Sequence, residues 1–297
     1  MAGGIGKTTT SAALVRDDSV RAHFHQIIWL PLGQTPVIEK LQSIAHEQLT
    51  GKKLDISLDD EGRHKLLRQA FKGKKVLLTL DDCWEESHRR QLNFVDASCG
   101  GRVLISTRIR QVLQSAAFEF EIGKPSMHDS ISMLMRAAGI SASSTRAPPA
   151  GAHEIAQLCG CLPLALNIAG KLVRDLGFEQ SDNWEGVQRI LREELREHMT
   201  AEQGVIWASL AGLKGSSIHV TGARKLFKLF GLVPEDTWCP LEFLQMMYDA
   251  VYKTNKSTSI YNIRRWLQML IDRSLVLGTV DRASLRKFPH VHLVSGT

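Results

Sequence analysis

Residues Met1 to Thr9 read M-A-G-G-I-G-K-T-T, a spacing that sets a cation and a hydroxyl directly after a run of glycines. It fits G-x-x-x-x-G-K-[ST] everywhere except the first position, where Met1 replaces glycine. Gly3, Gly4 and Gly6 open backbone conformations closed to other residues, so that successive N–H groups can turn inward around anionic oxygens. Lys7 supplies a mobile ammonium and Thr8 a hydroxyl for Mg²⁺, and Ile5 and Thr9 complete the candidate phosphate-binding set. A helix expected over Thr8 to about Val15 aims its positive end at the same anion. The plainer alternative is a flexible glycine-rich terminus.

Two further clusters bear on that chemistry. Val76 to Trp84 reads V-L-L-T-L-D-D-C-W, an apolar run ending in two carboxylates, which is the Walker B arrangement. Asp81 is expected to hold Mg²⁺ through water, with Thr8 as the other protein donor. Asp82 is placed to orient or deprotonate an attacking water and is the candidate catalytic residue. Many related ATPases carry a longer glutamate there, so hydrolysis is expected to be slow. The alternative is a pair of aspartates capping the following helix. Gly100 to Arg108 reads G-G-R-V-L-I-S-T-R and ends in a guanidinium able to sense a terminal phosphate through paired N–H donors. The competing role for Arg108 is an ordinary surface salt bridge.

These side chains need a sheet to present them. Gln26 to Leu30, Val76 to Leu80 and Val103 to Ser106 are short, nearly continuous apolar runs, as expected of parallel strands covered on both faces. Phe118 to Ile122 is expected as a last strand. Helix-period segments lie between them, before Gly51 and before Gly73. Alternating strands and helices imply an α/β doubly wound parallel sheet, whose ligands bind at the carboxyl ends of the strands. A phosphate loop springs from the end of a strand, and no residues precede the loop to make one. The expectation is therefore a sheet with its first strand missing and lowered stability.

In the order and spacing of these motifs the chain resembles the NB-ARC family, the nucleotide-binding switch of plant disease-resistance receptors and apoptotic protease activators, within the STAND class of signalling P-loop NTPases. L-T-L-D-D-C-W resembles the family's L-V-L-D-D-V-W, and I-S-T-R its T-T-R sensor segment. Cys159 to Leu166, C-G-C-L-P-L-A-L, is similar to C-x-G-L-P-L-A-L with Cys161 where glycine is usual. Leu226 to Leu241 resembles the L-F-x-x-F-P-E-D signature region. The resemblance implies a P-loop domain over 1–123, an all-α helical subdomain over 124–199 and a winged-helix subdomain over 200–297. It implies ADP or ATP with Mg²⁺ as cofactors, a closed ADP state, an open ATP state that oligomerises with its own copies, and effector and sensor domains elsewhere in a longer parent protein. Pro163, at the start of an apolar helix where proline is tolerated, would pack on adenine. In Phe-Pro-His-Val-His-Leu-Val, His292 would stand for the Met-His-Asp histidine that contacts the β-phosphate, with Leu293 replacing the aspartate and His290 as second candidate. Ordinary histidines on an exposed terminal strand are the alternative.

Bulk properties agree with this frame. A chain of 297 residues with 43% hydrophobic content can bury sizeable cores in about two domains. No run approaches the roughly 18 apolar residues of a membrane helix, which leaves a cytoplasmic address. Five cysteines without a C-x-x-C pair argue against a disulfide framework or structural zinc and read as reduced, mostly buried thiols. The formal charge of +6 is spread along the chain, and no specific nucleic-acid partner is expected. Two other functions compete with the switch. One is a turnover ATPase or kinase, weakened by the lack of a substrate-pocket motif. The other is a degenerate scaffold that no longer binds nucleotide, motivated by Met1, Cys161 and Leu293.

Overall fold

The computed structural model describes residues 4–55, 58–113, 118–140, 148–176, 181–197, 200–213, 217–233, 239–254, 257–277 and 292–293. The chain divides into two compact units, Met1–Ile122 and Gly123–Thr297. In the first, α1 (Lys7–Arg16) and α2 (Asp18–His23) lead into β1 (Gln26–Pro31), followed by α3 (Ile38–Thr50), α4 (Asp60–Phe71), β2 (Val76–Asp81), α5 (Glu86–Leu92) and β3 (Arg102–Ile105). The breaks follow from local chemistry. Asp59 caps α4 by accepting the Gly62 N–H at 2.8 Å, and Gly51 ends α3 in the left-handed region at φ 74°, where glycine carries no Cβ penalty.

The sheet is parallel, with β2 between β1 and β3. Gln26 pairs with Val76 and Pro31 with Asp81, while Leu77 pairs with Arg102 and Leu80 with Ile105. All six residues of β2 are buried, as its unbroken apolar run implies for a strand covered on both faces. Leu41, Ala45 and Leu49 of α3 and Leu67 and Phe71 of α4, spaced four apart, complete the core with Ile28, Leu30, Leu78 and Leu80. Phe118–Ile122 corrects one expectation, since these residues form no strand. Alternation supplies a two-faced segment but not a ladder partner, and Phe118 and Phe120 stand 96% and 88% exposed.

The second unit contains α6 (Met127–Ala137), α7 (Ala152–Leu158), α8 (Pro163–Leu176), α9 (Ser181–Glu197), α10 (Ala201–Ala211), α11 (Ile218–Phe230), α12 (Leu241–Tyr252), α13 (Ile260–Asp272), and an antiparallel pair, β4 (Val276–Leu277) with β5 (His292–Leu293). Ser126, three residues before Asp129 in the spacing of a capping signal, caps α6 by accepting the Asp129 N–H at 3.1 Å. Trp184, Val187 and Leu191 line one face of α9 and join a core that runs from Leu134 to Val276. Among the described residues no helix is long and apolar enough to cross a membrane. The five cysteines are unpaired, with Cys83, Cys159 and Cys239 buried and Cys99 exposed.

Two outcomes test this packing. A Cβ on Gly170 would fall 2.6 Å from the Leu134 carbonyl oxygen and 2.5 Å from the Ala137 Cβ, so α6 and α8 meet backbone to backbone. The overpacking cost of about 1–3 kcal/mol exceeds the helix-propensity gain of up to about 1 kcal/mol, and denaturant unfolding should show Gly170→Ala less stable. In the loop before β3, Asp96 accepts the Gly73 N–H at 3.0 Å and the Ser98 N–H and hydroxyl. These bonds hold its carboxyl well below the ordinary value of 3.8. A depressed folded pKa means that the stabilisation is present above the unfolded value and fades as pH falls below it. The stability gap between wild type and Asp96→Asn should therefore be widest near neutrality and narrow below about pH 4.

Candidate functional site

The glycine turn is built as its composition requires. Gly4 and Gly6 sit at φ 69° and 97°, and the Gly6 carbonyl accepts the Thr10 N–H at 2.8 Å to open α1. An ideal Cβ on Gly6 would meet nothing within 4 Å. Glycine is needed there for its dihedral angle, and open space lies beside the turn. Gly3 lies outside the described residues. Ile5 is half-buried within the turn, and Thr9 is exposed on α1.

Parallel register brings the remaining groups to the same edge, because β1, β2 and β3 all end there. Thr8 Oγ1 donates to Asp81 Oδ1 at 3.1 Å across 73 residues of sequence. Ser106, one residue beyond β3, donates its hydroxyl to the same oxygen at 2.5 Å and accepts the Asp82 N–H at 2.9 Å. Thr107 donates to the Cys83 carbonyl at 2.6 Å. Ser106 and Thr107 thus lash the end of β3 to the end of β2, and neither stood out in the sequence. Their signal was present: in parallel register, the residue after Ile105 must fall beside Asp81.

Asp82 adopts φ 53°, a left-handed conformation that aspartate tolerates better than most residues. Its carboxylate takes an indole N–H from Trp84 at 3.0 Å and pairs with Arg108 Nε at 3.4 Å. The Arg108 guanidinium also lies over the Trp84 ring, 5.5 Å from its centroid. Trp84 is a third residue whose part was not read from sequence. Helix α5 takes no side-chain hydrogen bond at its cap, Glu85, so the two aspartates are not capping residues. The salt bridge weighed for Arg108 does form, and its partner is Asp82.

Burial lowers the pKa of the Lys7 ammonium, the Arg108 charge lowers it further, and Asp82 and Asp81 act in the opposite direction. Lys7, Arg108 and both carboxylates therefore share one electrostatic neighbourhood. This donor set fits a hydrated hard cation beside a polyphosphate. Thr8 and Asp81 offer two oxygen ligands, which suits Mg²⁺, an ion that keeps several of its waters. No group of three or more His, Cys, Asp or Glu gathers as a metal cage among the described residues.

In the second unit, Pro163 is the first residue of α8 and is half-buried. The turn before it holds Gly160 at φ 60° and Cys161 at φ 56°. Cys161 bears the left-handed strain that glycine would avoid. His292 lies in β5 paired with Leu277, and its side chain is outside the description.

Residues 1–130 match the NB-ARC domain family. Disease resistance protein RGA2 of Solanum bulbocastanum is 30% identical over 195 residues, which is 63% of this chain and 20% of that protein. Probable disease resistance protein At4g33300 of Arabidopsis thaliana is 27% identical over 252 residues, 82% of this chain and 28% of that one. This chain thus spans less than a third of the length of either relative. The solved Aeropyrum pernix ORC2 protein superposes with a TM-score of 0.46 at 15% identity, over 93% of this chain and 78% of that one, a likeness too slight to bear on function.

Ser106→Ala tests the lashing of β3 to β2. It takes the acceptor from the Asp82 N–H and one hydroxyl donor from Asp81, and thermal or denaturant unfolding should show a loss of about 1–3 kcal/mol. A variant as stable as wild type would show that water replaces the hydroxyl.

Proposed function

We propose that this chain, whose residues 1–130 match the NB-ARC domain family, binds ADP and ATP with Mg²⁺ and works as the nucleotide-gated switch of a defence-type signalling protein. The observation that carries this proposal is the meeting of Thr8 and Asp81 at 3.1 Å on the edge that also holds Lys7 and Arg108. Backbone amides of Gly4 to Thr9 would cradle the phosphates, Gly3 extending the turn, with Lys7 neutralising their charge. Thr8 and Asp81 would hold Mg²⁺, which supplies charge neutralisation at the phosphates when bound. Asp82 would orient water for slow hydrolysis, and Arg108 would read the terminal phosphate. In the second unit, Pro163 would pack on adenine and His292 would contact the β-phosphate.

On this proposal ADP stabilises a closed arrangement of the P-loop domain (1–123), helical subdomain (124–199) and winged-helix subdomain (200–297), while ATP favours an open, self-associating one. Nucleotide acts as a differential ligand of two conformations and shifts their populations by its difference in affinity. The longer parent protein would add effector and sensor domains and act in the cytoplasm.

Lys7→Met tests the site directly. Calorimetric titration should show ADP and MgATP affinity falling at least about tenfold, the scale of losing one charge-assisted phosphate contact. Without nucleotide the variant should be no less stable than wild type, because burial and Arg108 both disfavour the Lys7 charge. A wild-type protein that takes up neither nucleotide, with or without Lys7, would refute the switch.

A further inference from the structure

Asp82, Trp84 and Arg108 form a closed triangle. Asp82 Oδ2 accepts from the indole at 3.0 Å, Oδ1 faces Arg108 Nε at 3.4 Å, and the guanidinium carbon lies over the Trp84 ring, 5.5 Å from its centroid. Each side has one physical cause. An indole N–H can only donate, a guanidinium remains charged at any ordinary pH, and a cation over an indole face is attracted by the ring quadrupole. The carboxylate cannot swing freely, since the Asp82 N–H is fixed to Ser106 Oγ at 2.9 Å and its backbone occupies the left-handed region at φ 53°. Arg108 is thus held by a carboxylate and an aromatic face.

The same guanidinium stands near enough to Lys7 for its charge to be felt there. A terminal phosphate neutralised by Lys7 would therefore lie in the field of the Arg108 charge. To bind that phosphate through Nε–H paired with a terminal N–H, Arg108 would have to give up Asp82, and turning the guanidinium toward the phosphate would draw it off the Trp84 ring. A diphosphate, lacking that last group, leaves the triangle intact.

We propose that Trp84 and Asp82 form a clamp that holds Arg108 back from the terminal phosphate, so that the site favours nucleoside diphosphate over triphosphate, with Trp84 as the positioning residue that sets the strength of this preference. The proposal rests on the nucleotide-binding role of the site and names its regulation. Clamp release is a cost borne by triphosphate alone, so weakening the clamp moves one affinity and not the other. A purely structural loss at Trp84 would move both together.

The test compares wild type with Trp84→Leu, which removes both the N–H and the aromatic face, and with Trp84→Phe, which removes the N–H and keeps a face. Affinities for MgADP and for a non-hydrolysable MgATP analogue are measured on each by titration calorimetry. The ratio of triphosphate to diphosphate affinity should rise about three- to tenfold in Trp84→Leu and less in Trp84→Phe, on the scale of a partly exposed cation–π contact and one hydrogen bond to a charged group. In wild type, tryptophan emission should shift on adding the triphosphate analogue and not on adding MgADP, and this difference should vanish in Trp84→Phe. An unchanged ratio, a ratio that falls, or a parallel loss of both affinities would overturn the clamp while leaving nucleotide binding intact. No binding of either nucleotide by the wild-type chain would overturn the role of the site, and the clamp with it.

Discussion

One carboxylate oxygen at the end of β2 organises the candidate site. Asp81 Oδ1 accepts hydroxyls from Thr8 and Ser106, and Asp81 as a whole is only 6% exposed. A carboxylate withdrawn from water must be met by donors, and charge-assisted bonds to hydroxyls are short and strong. Those two donors come from opposite ends of the first unit's sequence. Satisfying one atom therefore fixes the glycine turn to β2 and β2 to β3. The position of Asp82 follows, because its N–H goes to the hydroxyl that already serves Asp81.

How much of this was legible in the sequence depends on whether the cause was local. The glycine turn, the buried character of β2 and the caps at Ser126 and Gly51 are written in a few neighbouring residues, and the structure bears them out. Helix α2 was not anticipated, although Asp17, which accepts the Ser19 and Val20 N–H groups, is a capping signal in plain view. Phe118–Ile122 shows the opposite failure. Its aromatic and acidic residues alternate as in a strand, yet pairing is a property of two segments, and pattern in one cannot supply the other. Ser106 and Trp84 escaped for a related reason, since each acquires its part only when register and a left-handed Asp82 are known.

The second unit shows the packing that its composition implies. Its long helices alternate buried apolar faces with charged ones, and small residues stand where helices approach closely. Gly222 is one example, where a Cβ would lie 2.2 Å from Trp266. Burial raises the Cys159 thiol and takes that of Cys239 up to about 11, so these sulfurs behave as apolar filling with little thiolate character. Cys161 departs from this economy of fit. It keeps a positive φ beside Gly160 in the turn that delivers Pro163, so the position of the proline is maintained by surroundings that hold a non-glycine residue where it would not settle alone.

The flush ending of β1, β2 and β3 has a bearing on how such a chain can vary over time. Successive side chains along a strand point to opposite faces, so gaining or losing one residue within β2 would carry Asp81 through the sheet and out of reach of Thr8, with composition almost unchanged. Substitution can be absorbed at Val76, Leu77, Leu78 and Leu80 by apolar side chains of similar bulk. A change of length cannot. Inheritance in this region is therefore strict about counting and lenient about spelling, and differences in length between descendants have to collect in the connections away from the carboxyl edge.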